Sequence, residues 1–308
     1  MIKAIQKFKE LVVPEKTRIE FLSPLILVFG GLAVKSEDRY SSCRNVFLNW
    51  AAETNFKLAR YLRTPEQFPE WNHFEEKYNL VDFEIDVGCL SSGILLFLES
   101  PGALAELGAF CTDNALCERL LVVLEQKHYD ADSFVKWGPV QRIEDAFSEE
   151  AICVVGTTGK PREFEAEVAG VGKALQDKVK PLSETKQFDA KEKRDQFLLI
   201  ADLIELFGAL TEIELKILLG FMGVEPLHLK RMLKQLALFE LIFKVAVNNE
   251  RYYVPPKKQR MYYLKYTAPT ESKFERVTFK LLSSDPVLKK DSNRKVAYMK
   301  IHGESLWK

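Results

Sequence analysis

Long hydrophobic runs, clustered cysteines and paired histidines are all missing from this 308-residue chain. Its apolar stretches are short, so none reads as a transmembrane helix. The opening residues, MIKAIQKFKELVVPEK, mix charge with apolar residues at helical spacing, unlike the unbroken apolar centre of a signal peptide, and a cytoplasmic location is the expectation. The five cysteines, Cys43, Cys89, Cys111, Cys117 and Cys153, show no CxxC spacing, and the four histidines are equally dispersed. Neither a disulfide framework nor a zinc site is expected, and the thiols read as buried and reduced. The fingerprint GxGxxG is absent too. Gly30-Gly31 is followed by LAVKSEDRY, which supplies no third glycine and no immediate helix.

A net charge of zero, from 44 basic and 44 acidic residues, hides an asymmetry. Residues 185–308 hold 23 Lys+Arg against 15 Asp+Glu, leaving 21 against 29 for residues 1–184. An acidic first part is joined to a basic second part, so contact with a polyanion belongs to the C-terminal part.

What is present is a series of short apolar runs separated by helical stretches. Pro24–Phe29 (PLILVF), Lys57–Tyr61, Ile94–Leu98, Arg119–Glu125 (RLLVVLE) and Ile152–Gly156 (ICVVG) read as strands, the more apolar of them covered on both faces. Helices are expected over Tyr40–Glu53, Tyr78–Leu90 and from Pro101 onward. Alternation of this kind predicts an α/β domain over residues 1–160, with a parallel Rossmann-like or flavodoxin-like sheet. Residues 161–194 are highly charged and read as a helical linker.

Residues 195–308 have a different pattern: an apolar helix Asp195–Phe207, a second helix capped by Thr211 with Glu214 at the capping-box position, and a basic third helix Glu225–Leu241 carrying Lys230, Arg231 and Lys234. Ile242–Val247 and Arg251–Val254 then flank Asn248-Asn249-Glu250 as a hairpin. Helix, helix, basic helix and hairpin together predict a mainly α winged helix-turn-helix domain, fit to bind either nucleic acid or protein. Beyond it, PKKQRMYYLKY interleaves Lys257, Lys258 and Arg260 with tyrosines, a composition suited to phosphates and stacked bases.

One stretch concentrates the chemistry. In GILLFLESPGALAELGAF a buried strand passes through a turn at Ser100-Pro101-Gly102 into an apolar helix whose one charge is Glu106. The crevice beyond the carboxyl ends of parallel strands is where α/β sheets bind ligands, and a helix opening there offers N–H groups to phosphate or hydroxyl oxygens. SPGALAELGAF resembles the loop and helix of nucleoside deoxyribosyltransferase-like N-glycosidases. ESPGALAELGAF followed by WGPV at Trp137–Val140 is similar to the St85-type retron effectors, which join such a domain to a C-terminal winged helix.

The resemblance implies that Glu106 attacks or stabilises the anomeric carbon of a ribosyl group, and that Arg44, just inside its helix, grips a phosphate or ribose; a surface salt bridge is the alternative for Arg44. Glu84 or Asp82 would handle the base. Backbone around Ser100 and Gly102 would fix sugar hydroxyls or phosphate, and Gly30 and Gly31 would let the base lie against the main chain. Trp137 would serve as a lid, a subunit contact or a packed turn. The transferases carry an Asp six residues before the nucleophile, where this chain has Ser100, so base exchange between free nucleosides is not expected.

The leading expectation is therefore an antiviral toxin hydrolysing or transferring from a nucleotide such as NAD, with the nucleotide as substrate and no separate cofactor or metal. Its partners would be a reverse transcriptase and its multicopy single-stranded DNA and RNA, within an oligomer. A nucleotide-salvage transferase and a nucleotide-sensing DNA-binding regulator are the alternatives.

Overall fold

The computed structural model describes residues 1–20, 25–32, 38–67, 80–147, 149–179, 186–225, 227–257, 262–269 and 274–303. It divides into two compact units, Ser23–Ser183 and a second made of Met1–Leu22 with Glu184–Lys308. The expected positions Pro24, Tyr78, Lys258 and Arg260 lie outside the described residues.

The first unit is α/β. Its strands are β1 (Ile26–Phe29), β2 (Leu62–Arg63), β3 (Gly93–Phe97), β4 (Leu120–Glu125) and β5 (Ile152–Val155). All pair in parallel in the order β2-β1-β3-β4-β5, with Ile26 opposite Leu62 and Gly93, Ile94 opposite Leu120, and Val122 opposite Ile152. This is the flavodoxin-like order, whose switch point lies between the first and third strands. β1, β3 and β4 are buried along their whole length, which is why they appear in the sequence as unbroken apolar runs. The second strand starts later than its composition suggested: Ala59–Tyr61 forms a single helical turn and the pairing begins at Leu62.

Four helices matter to the crevice: α1 (Cys43–Glu53), α2 (Leu80–Leu90), α3 (Pro101–Thr112) and α4 (Val168–Val179). α1 starts at Ser42, whose hydroxyl accepts from Asn45 N at 3.0 Å, and α3 starts at Ser100, whose hydroxyl accepts from Ala103 N at 3.1 Å, with Pro101 in the first turn. α4 and Phe164 belong to the same core as Val28, Phe47, Phe97 and Val123. Residues 161–179 of the stretch read as a linker are thus part of this unit, while its last residues, 186–194, belong to the second. Val168, Val171 and Leu175 face inward at helical spacing, while Lys173 and Asp177 are exposed and Lys178 is half-buried.

In the second unit, α5 (Lys193–Phe207), α6 (Glu212–Phe221), α7 (Leu229–Leu238) and the hairpin β6 (Phe243–Val247) and β7 (Glu250–Val254) follow one another. The capping box is complete: Thr211 Oγ1 accepts from Glu214 N, and Glu214 Oε2 accepts from Thr211 N at 2.8 Å. Asn248 and Asn249 turn the hairpin with φ of 47° and 65°, a left-handed pair that asparagine tolerates. Leu210, between α5 and α6, bridges antiparallel to Tyr253. A last helix, α8 (Ser292–His302), packs on the hairpin, with Lys300 reaching Ala246 O.

Two expectations change here. The N-terminal helix Ile2–Leu11 belongs to this second unit, because Phe8 is fully buried edge-on among Phe207, Phe221, Tyr266, Phe274 and Phe279. The tail tyrosines are core residues as well: Tyr252, Tyr253, Tyr263 and Tyr266 are all buried. Asp202 on α5 holds their segment, accepting from Tyr263 N at 2.8 Å, Leu264 N at 3.1 Å, Tyr266 Oη at 2.7 Å and Arg276 at 2.9 Å. Four donors compensate a fully buried carboxylate, so these rings are not available to stack on bases.

Candidate active site

At the switch point the exits of β1 and β3 meet the start of α1. Glu99, two residues beyond β3, accepts from three backbone N–H groups: Gly31 at 2.9 Å, Cys43 at 2.7 Å and Arg44 at 3.0 Å. The first turn of α1 is thereby filled by the chain's own carboxylate. The glycines serve the same junction. Gly30 has φ +147°, and a Cβ there would stand 2.8 Å from Phe97 Cβ; a Cβ on Gly31 would stand 3.0 Å from Glu99 Cδ. The close approach these two glycines permit within the chain is that of β3 and Glu99. Nothing in the sequence tied Glu99 to Gly31, since their contact spans 68 residues. An acid directly after a fully apolar strand was the available signal.

Glu106 sits on the second turn of α3, half-buried, with an Oε2 atom that is shielded from solvent and has no hydrogen-bond partner among the described residues. Its carboxyl is pushed up to about 7, first by burial, then by the neighbouring charge of Glu84; Arg44 opposes the shift and Glu66 adds to it. The fold therefore gathers Glu106, Glu84, Arg44 and Glu66 into one electrostatic neighbourhood from α3, α2, α1 and the turn after β2. Glu84 is buried whereas Asp82 is exposed, so of those two acids Glu84 is the one placed at the site.

Arg44 is 2% exposed and grips Glu66, with N–O distances of 2.6 Å and 3.3 Å, and donates to Val28 O at 3.3 Å. The salt bridge of the alternative reading is present, and it runs from a buried guanidinium to a carboxylate that is 49% exposed. Glu66 is the acid that residue-type reasoning passed over, because only the fold places that turn beside α1. Ser100 caps α3 with its hydroxyl, and Gly102, next to it, is exposed.

A cavity of about 400 Å³ opens beside this site at the carboxyl ends of β3 and β4, walled by Leu98, Leu104, Leu124 and Val135. Trp137, farther along, is largely exposed and donates from Nε1 to Asp132 at 2.7 Å. Among the described residues no cluster of three or more His, Cys, Asp or Glu is placed to hold a metal, and no helix is long and apolar enough to cross a membrane. All five cysteines are free, with Cys153 less buried than the rest.

In the second unit, Lys230, Lys234 and Lys257 are exposed and Arg231 is half-buried. Lys230 and Lys234 lie one turn apart on α7.

The family model described as STM3845 retron effector protein matches residues 40–244, from the residues before α1 through the start of β6. The chain belongs to this retron effector family. Among curated proteins it is 27% identical over 201 residues to the Escherichia coli protein named "Retron Ec73 putative ribosyltransferase/DNA-binding protein", covering 61% of this chain and 63% of that one. It is 36% identical over 110 residues to the Ec86 protein of the same name and organism, covering 34% and 36%. The match spans less than two thirds of the length of either relative.

Burial of Glu106 in this retron effector has a measurable cost. Between its ordinary 4.5 and about 7, the folded protein keeps a proton on Glu106 that the unfolded chain releases. Stability therefore falls as pH rises through that window, and the penalty is complete above it. Glu106→Gln cannot ionise. Thermal or denaturant unfolding is expected to find the two proteins equal near pH 4.5 and the variant more stable at pH 8, by on the order of 2 kcal/mol. A difference that does not change with pH would place Glu106 in water.

Proposed function

We propose that this retron effector is an antiviral toxin that cleaves the N-glycosidic bond of a nucleotide, with Glu106 as the group that faces the anomeric carbon. The observation that carries the reading is the Oε2 of Glu106, shielded from solvent and without a hydrogen-bond partner among the described residues, at the switch point of the sheet. The names of the two relatives, which pair ribosyltransferase with DNA-binding, support it.

The chemistry follows from the charge distribution. As the C1′–N bond breaks, its electron pair leaves with the base nitrogen, and positive charge spreads over C1′ and the ring oxygen. A carboxylate held within about 3 to 3.5 Å of C1′ stabilises that charge or captures it as a covalent ester. Water then adds at C1′, releasing a proton to solvent. Burial and the nearby charge of Glu84 make the ionised form of Glu106 costly, so a cationic group entering beside it is favoured. A pyridinium base meets that requirement: it is cationic when bound, departs neutral and needs no general acid. NAD, giving ADP-ribose and nicotinamide, is the substrate that fits, and the approach of its positive ring lowers the pKa of Glu106 and selects the ionised form. Arg44 holds Glu66 in place and limits the rise in the pKa of Glu106.

The second unit is assigned the control of this activity, as a winged helix docking on the retron's reverse transcriptase and multicopy single-stranded DNA. Lys230 and Lys234 of α7, with Lys257 after β7, are its contacts to phosphate.

Two experiments test these statements. Glu106→Gln, folded by circular dichroism, is expected to lose turnover of NAD by a hundredfold or more, the scale for removing a central electrostatic stabiliser. A rate within about tenfold of wild type would remove Glu106 from the reaction. Separately, if the three lysines neutralise phosphates of a single strand, log affinity should fall with log salt at a slope on the order of −2, and Lys230→Glu with Lys234→Glu should flatten it. Association that ignores both salt and charge reversal would make this unit a protein-docking module alone.

A further inference from the structure

The cavity beside α3 is not used by the reaction above, and its lining is unlike a chance surface dent. Leu98, Leu104, Leu124 and Val135 provide apolar walls around about 400 Å³, a size at which small-molecule sites occur. Its polar lining is Glu99, Ser100, Glu125, Lys127, His128 and Thr158. Glu125, the last residue of β4, is buried; its Oε1 meets Lys127 at 2.8 Å, and its Oε2 accepts from Thr158 N at 3.3 Å and Thr158 Oγ1 at 3.4 Å. Burial would raise the pKa of this carboxyl, but the Lys127 ammonium and the Thr158 N–H outweigh it and hold the group below its usual range. An ionised carboxylate has lone pairs beyond these three contacts and accepts hydroxyl donors well. Lys127 and His128, both exposed, stand at the rim.

We propose that this cavity binds the nucleoside monophosphate half of a dinucleotide substrate, the half distal to the bond that is cut. The base lies between the leucine walls, the ribose hydroxyls donate to Glu125, and Lys127 and His128 meet the phosphate. Position supports the pairing of the two halves. Leu104 of the cavity and Glu106 lie two residues apart on α3, so they occupy opposite flanks of one helix. A molecule with two nucleoside ends can straddle the first turn there, passing the exposed Gly102, where a side chain would find only Ser100 Oγ, at 3.8 Å. The inference rests on the glycosidase reading for the identity of the substrate, while binding in the cavity is measurable without turnover.

Leu104→Trp fills the cavity from its own wall, and His128→Glu puts a negative charge on an exposed rim position. With the full-length chain, both are expected to raise KM for NAD, at least tenfold for the tryptophan variant, with kcat little changed. KM for nicotinamide mononucleotide, which lacks the distal half, should stay as in wild type. AMP should compete with NAD in wild type, and calorimetry should show AMP binding lost in Leu104→Trp. Unchanged KM for NAD and unchanged AMP binding in both variants would overturn the proposal, as would AMP binding that does not compete with NAD. If Glu106→Gln is inactive while the cavity variants are silent, the subsite fails and the glycosidase stands. If Glu106→Gln retains activity while Leu104→Trp abolishes AMP binding, the nucleotide cavity stands and the assignment of Glu106 falls.

Discussion

The three hydrogen bonds that Glu99 accepts from Gly31, Cys43 and Arg44 hold the switch point together. They fasten the exits of β1 and β3 to the first turn of α1 in one carboxylate, and charge-assisted bonds of this kind are about twice as strong as neutral ones. Arg44 and Glu106 are both positioned from that junction. α1 presents Arg44 toward Glu66, and the chain leaving Glu99 caps and begins the helix that carries Glu106. Filling the start of α1 with an internal charge also removes that helix as an anion site and leaves the first turn of α3, at Gly102, as the open one beside Glu106.

Against this rigid frame, Glu106 is a local conflict. A carboxylate half-buried beside two other acids is expensive to ionise, and its raised pKa records that expense. Arg44 limits the penalty without pairing directly with Glu106, because its two terminal nitrogens are committed to Glu66 and Val28 O. In the proposed reaction this electrostatic strain would be relieved as positive charge develops beside Glu106, so that the interactions favour the transition state over the resting state.

Much of this was legible in the sequence where the determinants are local. The apolar strand runs, Ser100 with Pro101 at the start of α3, the Thr211 capping box and the Asn248-Asn249 turn are each decided by neighbours within a few residues, and the parallel sheet followed from their alternation. Glu106 stood out because the rest of its helix is apolar. What was hidden depends on distant partners. Glu99 and Glu66 act through residues 68 and 22 positions away, and Phe8 reaches a cage built from the other end of the chain. The tail tyrosines misled for the same reason: beside lysine and arginine they look like a nucleic-acid surface, yet Asp202, some 60 residues earlier, folds them into a core. In α4 the inward spacing of Val168, Val171 and Leu175 was present in the sequence but masked by charge on the outer face.

The measurement closest to the core of this account is the titration of Glu106 itself, followed by carbon NMR on glutamate-labelled protein with Glu106→Gln to assign the resonance. The account predicts a midpoint near 7 in the free protein, moving down when a pyridinium nucleotide is bound. A midpoint near the ordinary 4.5, indifferent to such a ligand, would contradict it.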